Sequence, residues 1–339
     1  MDSDTDILFA LLRGAIEGRQ IVLSSPVEAS RWWHLFRLSQ QNHVTALTTE
    51  ALPAETPREV LMPWMAEQQK AEEWYRYQHG IQEEIVGMMA EHGIKTLVLK
   101  GTHIAQYYPV PETREFGDLD LYFYDQHDEA DRMARKLMKV NIGNDAHHHS
   151  KYNYHGVTVE SHYDFLNSHY PPSNRRYETL LKELVPSPTF ELLFLLRHMA
   201  GHFAASRITL RDIVDWALSC RTLAEKADWQ LIEQTIADYG MTDFAAAICQ
   251  IAENRLGIRT PLNLSSMNNC RHIERDIVYG DKATADKNID GISRLNWKLR
   301  RWRANLWKRR MVFSDNETSL ILASLTSHVA KPHSILHKQ

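Results

Sequence analysis

Apolar positions recur with helical spacing through the first fifty residues, at Ile7, Leu8, Leu11, Leu12 and Ile16 and again at Trp32, Trp33, Leu35, Phe36 and Leu38. The run Leu52-Pro53-Ala54-Glu55-Thr56-Pro57 ends this part, because two prolines disfavour helix. A long helix rich in Ala, Glu, Gln and Met is expected from about Pro63 to Glu91, closed by His92-Gly93. The pattern then changes. Lys95 to Leu99 reads as a strand stopped by Gly101-Thr102, and residues 102–108 as two helical turns halted at Pro109-Val110-Pro111. Asp118 to Tyr124 reads as a second strand, Glu129 to Val140 as a helix crossing back over the sheet, and Tyr152 to Tyr163 as a hairpin turning at Gly156.

Two proline clusters, Pro171-Pro172-Ser173 and Pro186-Ser187-Pro188, mark a linker. Beyond it, helices are expected over about 189–204, 208–224, 228–239, 241–255 and 270–279, a basic one over 293–312 and a last one over 318–329. This pattern predicts an α+β chain in three parts: an N-terminal helical region (1–92), a core with a small mixed sheet (93–185), and a C-terminal helical domain (186–339).

Composition narrows the class. The 339 residues include 43% hydrophobic and 24% charged residues and carry a formal charge of -4, which gives no global pull toward nucleic acid or anionic membrane. Cys220, Cys249 and Cys270 are far apart and form no CxxC pair, so they read as reduced thiols. The acidic start Met1-Asp2-Ser3-Asp4 lacks the basic residues of a secretory signal, and the apolar run Leu192 to Leu196 is far too short to cross a bilayer. A cytoplasmic protein is expected.

The candidate chemistry lies in the middle of the chain. Side chains alternate faces along a strand, so in Gly117-Asp118-Leu119-Asp120-Leu121 the two aspartates share one face while the leucines enter the core. Two carboxylates about 4 Å apart repel by ~4 kcal/mol at an effective dielectric near 20, so both stay ionised only beside a cation. Hard oxygen ligands suit Mg²⁺. The Gly101-Thr102 turn before a helix can cradle phosphate on backbone N–H groups. Glu160, on a strand able to lie beside the first pair, supplies a third acid. Together these can bind two metals and a triphosphate, provided that Glu160 lies within about 10 Å of the aspartates.

In these marks the sequence resembles the DNA polymerase beta type nucleotidyltransferase superfamily. It is more closely similar to a bacterial group of uncharacterised nucleotidyltransferases, through Leu99-Lys100-Gly101, Arg114 ahead of Asp118-Leu119-Asp120-Leu121, and Val159-Glu160-Ser161-His162. The likeness spans about residues 93–165 and extends loosely to His198 through Asp215. Gly101-Thr102 departs from the family's Gly-Ser or Gly-Gly, and the interval to Asp118 is long. The resemblance implies transfer of a nucleoside monophosphate from an NTP to a hydroxyl of an acceptor (protein, RNA or small molecule), with Mg²⁺ or Mn²⁺ as cofactor. It assigns the metal to Asp118, Asp120 and Glu160, with Asp120 bridging two ions and Glu160 helping to deprotonate the acceptor. It assigns the nucleotide to Lys100, Gly101, Thr102 and Arg114. His162, on the face of Glu160, lines the cleft.

Competing readings accompany these. A degenerate relative would bind nucleotide or RNA as an antitoxin-like regulatory module without turnover. His147, His148 and His149, with His155 and His162, raise a histidine-metal hydrolase, but consecutive strand residues point to opposite faces, which argues against zinc. His198 and His202, four apart on one helix face, read as packing or cleft-wall residues, and Arg211, Asp212 and Asp215 as ion pairs joining the helical domain to the core. The basic helix interleaves Arg294, Lys298, Arg300, Arg301, Arg303, Lys308, Arg309 and Arg310 with Trp297, Trp302 and Trp307. It either grips a polyanion such as RNA or buries its tryptophans with the cations in water; the second is the ordinary arrangement.

Overall fold

The computed structural model describes residues 3–143, 148–166, 172–264, 270–280, 300–316 and 318–319. The N-terminal helices are α1 (Asp4–Glu17), α2 (Ala29–Gln41), α3 (Thr45–Thr49) and the long α4 (Arg58–Glu91). Helix α4 begins five residues before Pro63, because Val60 and Trp64 are fully buried and Trp64 Nε1 donates to the Thr45 carbonyl, so packing overrides the proline. Next come β1 (Leu97–Val98), α5 (Thr102–Ala105), β2 (Asp118–Tyr122) and α6 (His127–Met133), which continues as a wider turn over Ala134–Met138. The hairpin β3 (His149–Tyr154) and β4 (Val157–His162) completes the sheet.

The four strands lie in the order β1-β2-β4-β3, with β2 parallel to β4 and the other two pairs antiparallel. The chain is therefore α+β with a small mixed sheet, as its pattern predicts. One sheet face carries Leu119, Leu121, Val157 and Val159 into a core with Ile85 and Met89 of α4 and Ala130 and Ala134 of α6. Asp118 and Asp120 occupy the other face.

The segment between the proline clusters is not a linker. Residues Pro172–Leu184 form α7, with Tyr177 and Leu181 fully buried. Proline is tolerated at a first helical position, where its missing N–H has no partner to lose, and this makes the cluster a helix start. Helices α8 (Pro188–Ala205), α9 (Leu210–Thr222), α10 (Trp229–Asp238), α11 (Thr242–Ile251) and α12 (Cys270–Tyr279) follow, close to the expected spans.

Of the basic helix, residues 300–304 are helical, a turn lies at Asn305, and α13 (Leu306–Val312) follows. Its face is mixed. Lys308 is buried and donates to Asp276 Oδ2 at 2.6 Å and to the Ser206 carbonyl, and Trp307 packs on Phe203, while Arg300, Arg303 and Arg310 are exposed. Arg294, Trp297, Lys298 and most of the 318–329 segment lie outside the described residues. Residues of α1, α2, α8, α9 and α11 share one continuous apolar core. Among the described residues no helix is long and apolar enough to cross a membrane.

Candidate active site

The parallel register sets Asp120 opposite Glu160 and Tyr122 opposite His162, with Asp118 opposite Thr158. Because paired residues share a face, both aspartates, Glu160 and His162 rise from the same side of the sheet. The side-chain ligand atoms of Asp120, Glu160 and His162 lie within 4.8 Å of one another, well inside the distance that a shared ion requires. These residues line a cleft of about 460 Å³ walled across from the sheet by His198, Gly201, His202, Arg211 and Asp212 of α8 and α9. That volume is typical of a small-ligand site.

Two lysines neutralise the acids. Lys100 Nζ lies 3.0 Å from Asp120 Oδ1 and 3.2 Å from His198 Nε2. Lys151 Nζ lies 3.2 Å from Glu160 Oε1 and 3.7 Å from Asp118 Oδ2. Burial pushes the Asp120 carboxyl up, but the Lys100 ammonium and the His162 contact at 3.1 Å prevail and hold it well below the usual carboxylate range. The Asp118 carboxyl is raised, chiefly by burial, with Lys151 opposing and the charges of Glu160 and Asp120 adding to the rise. Burial would lower the Lys151 ammonium, yet Asp118 and Glu160 raise it.

The Gly101 turn stands beside this cluster. Its φ of 59° and ψ of -120° form a backbone that side-chain-bearing residues rarely adopt, and an added Cβ would press on the Phe116 ring at 3.4 Å. Thr102 is buried and its hydroxyl donates to Gln82 of α4. Arg114 borders the cleft but is committed elsewhere: its Nε and Nη2 donate to the two oxygens of Asp215 at 2.8 and 2.7 Å, and its Nη1 to the Gly101 carbonyl at 3.2 Å. Tyr108 adds a 2.7 Å hydrogen bond to the same carboxylate. This buried group ties the glycine turn and the entry to β2 to helix α9. Arg211 at the cleft wall donates through Nη1 to the Glu115 carbonyl and through Nη2 to Asp212 Oδ1 at 3.4 Å, while its Nε has no hydrogen-bond partner.

The histidines bring a second feature. His149 Nε2 lies 3.5 Å from Glu160 Oε1, and ring nitrogens of His148, His149 and His162 lie within 4.8 Å of one another. His148 precedes β3 and is not a strand residue, so the alternation rule that would send it away from His149 does not apply. Burial, followed by its histidine neighbours, lowers His148 to about 2 and His149 to about 4, so both rings are neutral at pH 7. His155 sits apart in the hairpin turn, and His147 lies outside the described residues. Lys151 is not singled out by the sequence, and His149 enters there only among the zinc candidates and not as a neighbour of Glu160. The hairpin register would have found them, since it sets Lys151 opposite Glu160 and His149 opposite His162.

A glycine turn and an acid-x-acid strand beside a third acid, on a small mixed sheet, define the class of nucleotide-handling transferase cores. A family model described as uncharacterised nucleotidyltransferase matches residues 28–257, and the chain belongs to that family. No curated protein and no solved structure matches the chain. The family implies nucleotide as substrate.

Proposed function

We propose that the chain is a metal-dependent nucleotidyltransferase that moves a nucleoside monophosphate from an NTP to a hydroxyl of an acceptor. The observation that carries this reading is the pairing of Asp120 with Glu160 across two parallel strands, with Asp118 on the same face and the Gly101 turn beside them. Asp118, Asp120 and Glu160 would hold Mg²⁺ or Mn²⁺, a fit that rests on the convergence of Asp120 and Glu160 with His162 and on the ionised state of Asp120, Asp118 lying two residues along on the same face. When bound, such ions neutralise the triphosphate and ease loss of the acceptor proton.

The chain's own residues do the rest. Glu160 receives the proton of the acceptor hydroxyl, whose oxygen bonds to the α-phosphorus as the bond to the β-phosphate oxygen breaks and pyrophosphate leaves. His162 orients Asp120. Gly101 holds the outer phosphates, Thr102, buried and bonded to Gln82 rather than lining the cleft, braces that turn, and Lys100 and Arg211 counter the charge spreading over the phosphates. Arg114 serves by fixing Gly101 through Asp215.

Incubation with labelled NTPs, Mg²⁺ or Mn²⁺ and cell extract tests the proposal, and fractionating the labelled product into protein, RNA and small molecules identifies the acceptor class. Asp118→Ala and Asp120→Ala should each lower transfer by about 10³-fold or more. A second reading, a nucleotide- or RNA-binding module without turnover, draws on the Lys100–Asp120 contact, which balances the acid without an ion. NTP binding with no labelled product under any condition would favour it.

A further inference from the structure

His162 presents a bonding conflict. Its Nδ1 lies 3.2 Å from the Asp164 carbonyl, which can only accept, so the ring proton belongs at Nδ1. A neutral ring then points a lone pair from Nε2 at two more acceptors, Asp120 Oδ1 at 3.1 Å and Glu160 Oε2 at 3.7 Å. A second proton or a metal ion resolves this. A backbone carbonyl fixing the far nitrogen is how metal-binding histidines are commonly oriented. Beside it, His149 Nε2 faces Glu160, and Nδ1 atoms of both His148 and His149 are buried without a hydrogen-bond partner.

We propose that His148, His149 and His162, whose ring nitrogens converge beside Glu160, form a site for one first-row transition ion of the Zn²⁺ class, next to the position that the aspartates offer to Mg²⁺. Three imidazoles with a fourth position left open make a ligand set of the kind Zn²⁺ and Co²⁺ take, whereas Mg²⁺ prefers oxygen throughout. His162 and Glu160 connect this site to Asp120. The inference rests on the reading of Glu160 and Asp120 as metal-facing acids, but not on turnover.

The test uses the full chain stripped with chelator and titrated with Co²⁺ in the absence of nucleotide. The expected result is a visible ligand-field band saturating at one Co²⁺ per chain, displaced by Zn²⁺ and retained in millimolar Mg²⁺. His148→Gln and His149→Gln should each weaken Co²⁺ binding by about 100-fold or more while circular dichroism remains that of the parent. Asp118→Ala should keep the band. No band, a band unaffected by either histidine variant, or displacement by Mg²⁺ as readily as by Zn²⁺ would overturn the proposal. Co²⁺ binding without NTP transfer would remove the transferase reading alone; Mg²⁺-supported transfer without the band would remove this one alone.

Discussion

At the scale of single residues, Arg114 and Lys100 show how two cations beside one cleft take different work. Arg114 is 4% exposed and locked by a two-pronged contact to Asp215, so it behaves as part of the framework. Arg114→Ala would leave Asp215 and Tyr108 with a buried, uncompensated charge and should cost about 3–5 kcal/mol in chemical denaturation. A variant as stable as the parent, with NTP affinity alone reduced, would instead make Arg114 a phosphate ligand. Lys100 is partly open and holds Asp120 and His198 through its ammonium alone, with no two-pronged lock of the kind that fixes Arg114. Sequence alone revealed the acids and the glycine, because strand alternation and a turn residue are local properties. It did not distinguish Arg114 from Lys100, since Asp215 lies about a hundred residues away and nothing local records that pairing.

At the scale of elements, the hairpin decides which side chains meet. The two-residue turn His155-Gly156, with φ of 50° and 83°, fixes the register that opposes Lys151 to Glu160 and His149 to His162. Those pairings were legible once the turn length was taken as two; the expected turn at Gly156 alone hid them. The α7 helix was hidden differently, because proline reads both as a break and as a start, and only the buried Tyr177 and Leu181 decide.

Helix α9 provides a test at this scale. Thr209 caps it, and the Asp212 carboxylate accepts hydrogen bonds from the Thr209 backbone N–H and hydroxyl. Burial would raise the Asp212 carboxyl, but the Arg211 charge and the Thr209 N–H hold it below its ordinary 3.8. A depressed carboxyl stabilises the fold above the unfolded value and loses that contribution as pH falls through the folded one. Asp212→Asn should therefore cost about 1 kcal/mol at pH 7, with the gap to the parent closing below pH 3.8 in thermal melts. A gap that stays constant into acid would mean that the carboxylate charge is not what the cap uses.

At the scale of the whole molecule, the N-terminal and C-terminal helices are one packing unit. Leu8, Leu11 and Leu12 of α1 are fully buried in the same core as Phe194, Trp216 and Phe244. Leu11→Ala should cost about 2–5 kcal/mol, and unfolding followed by tryptophan fluorescence and by circular dichroism should coincide in one transition. Two separated transitions would show that the helical regions fold independently. The division of helical segments was readable from periodicity, but which of them share a core was not, since amphipathic faces do not name their partners.

Under the proposed function, the lysines on the acids also set the order of loading. Free Mg²⁺ must evict an ammonium to reach Asp120, and the evicted charge would have nowhere to go. An ion escorted by a triphosphate brings oxygens that welcome the displaced lysine, so calorimetry should show little heat with Mg²⁺ alone and a clear signal with Mg²⁺ plus a non-hydrolysable NTP. On the proposed reading, the acids that Lys100 and Lys151 hold accept magnesium only together with the triphosphate that relieves those lysines.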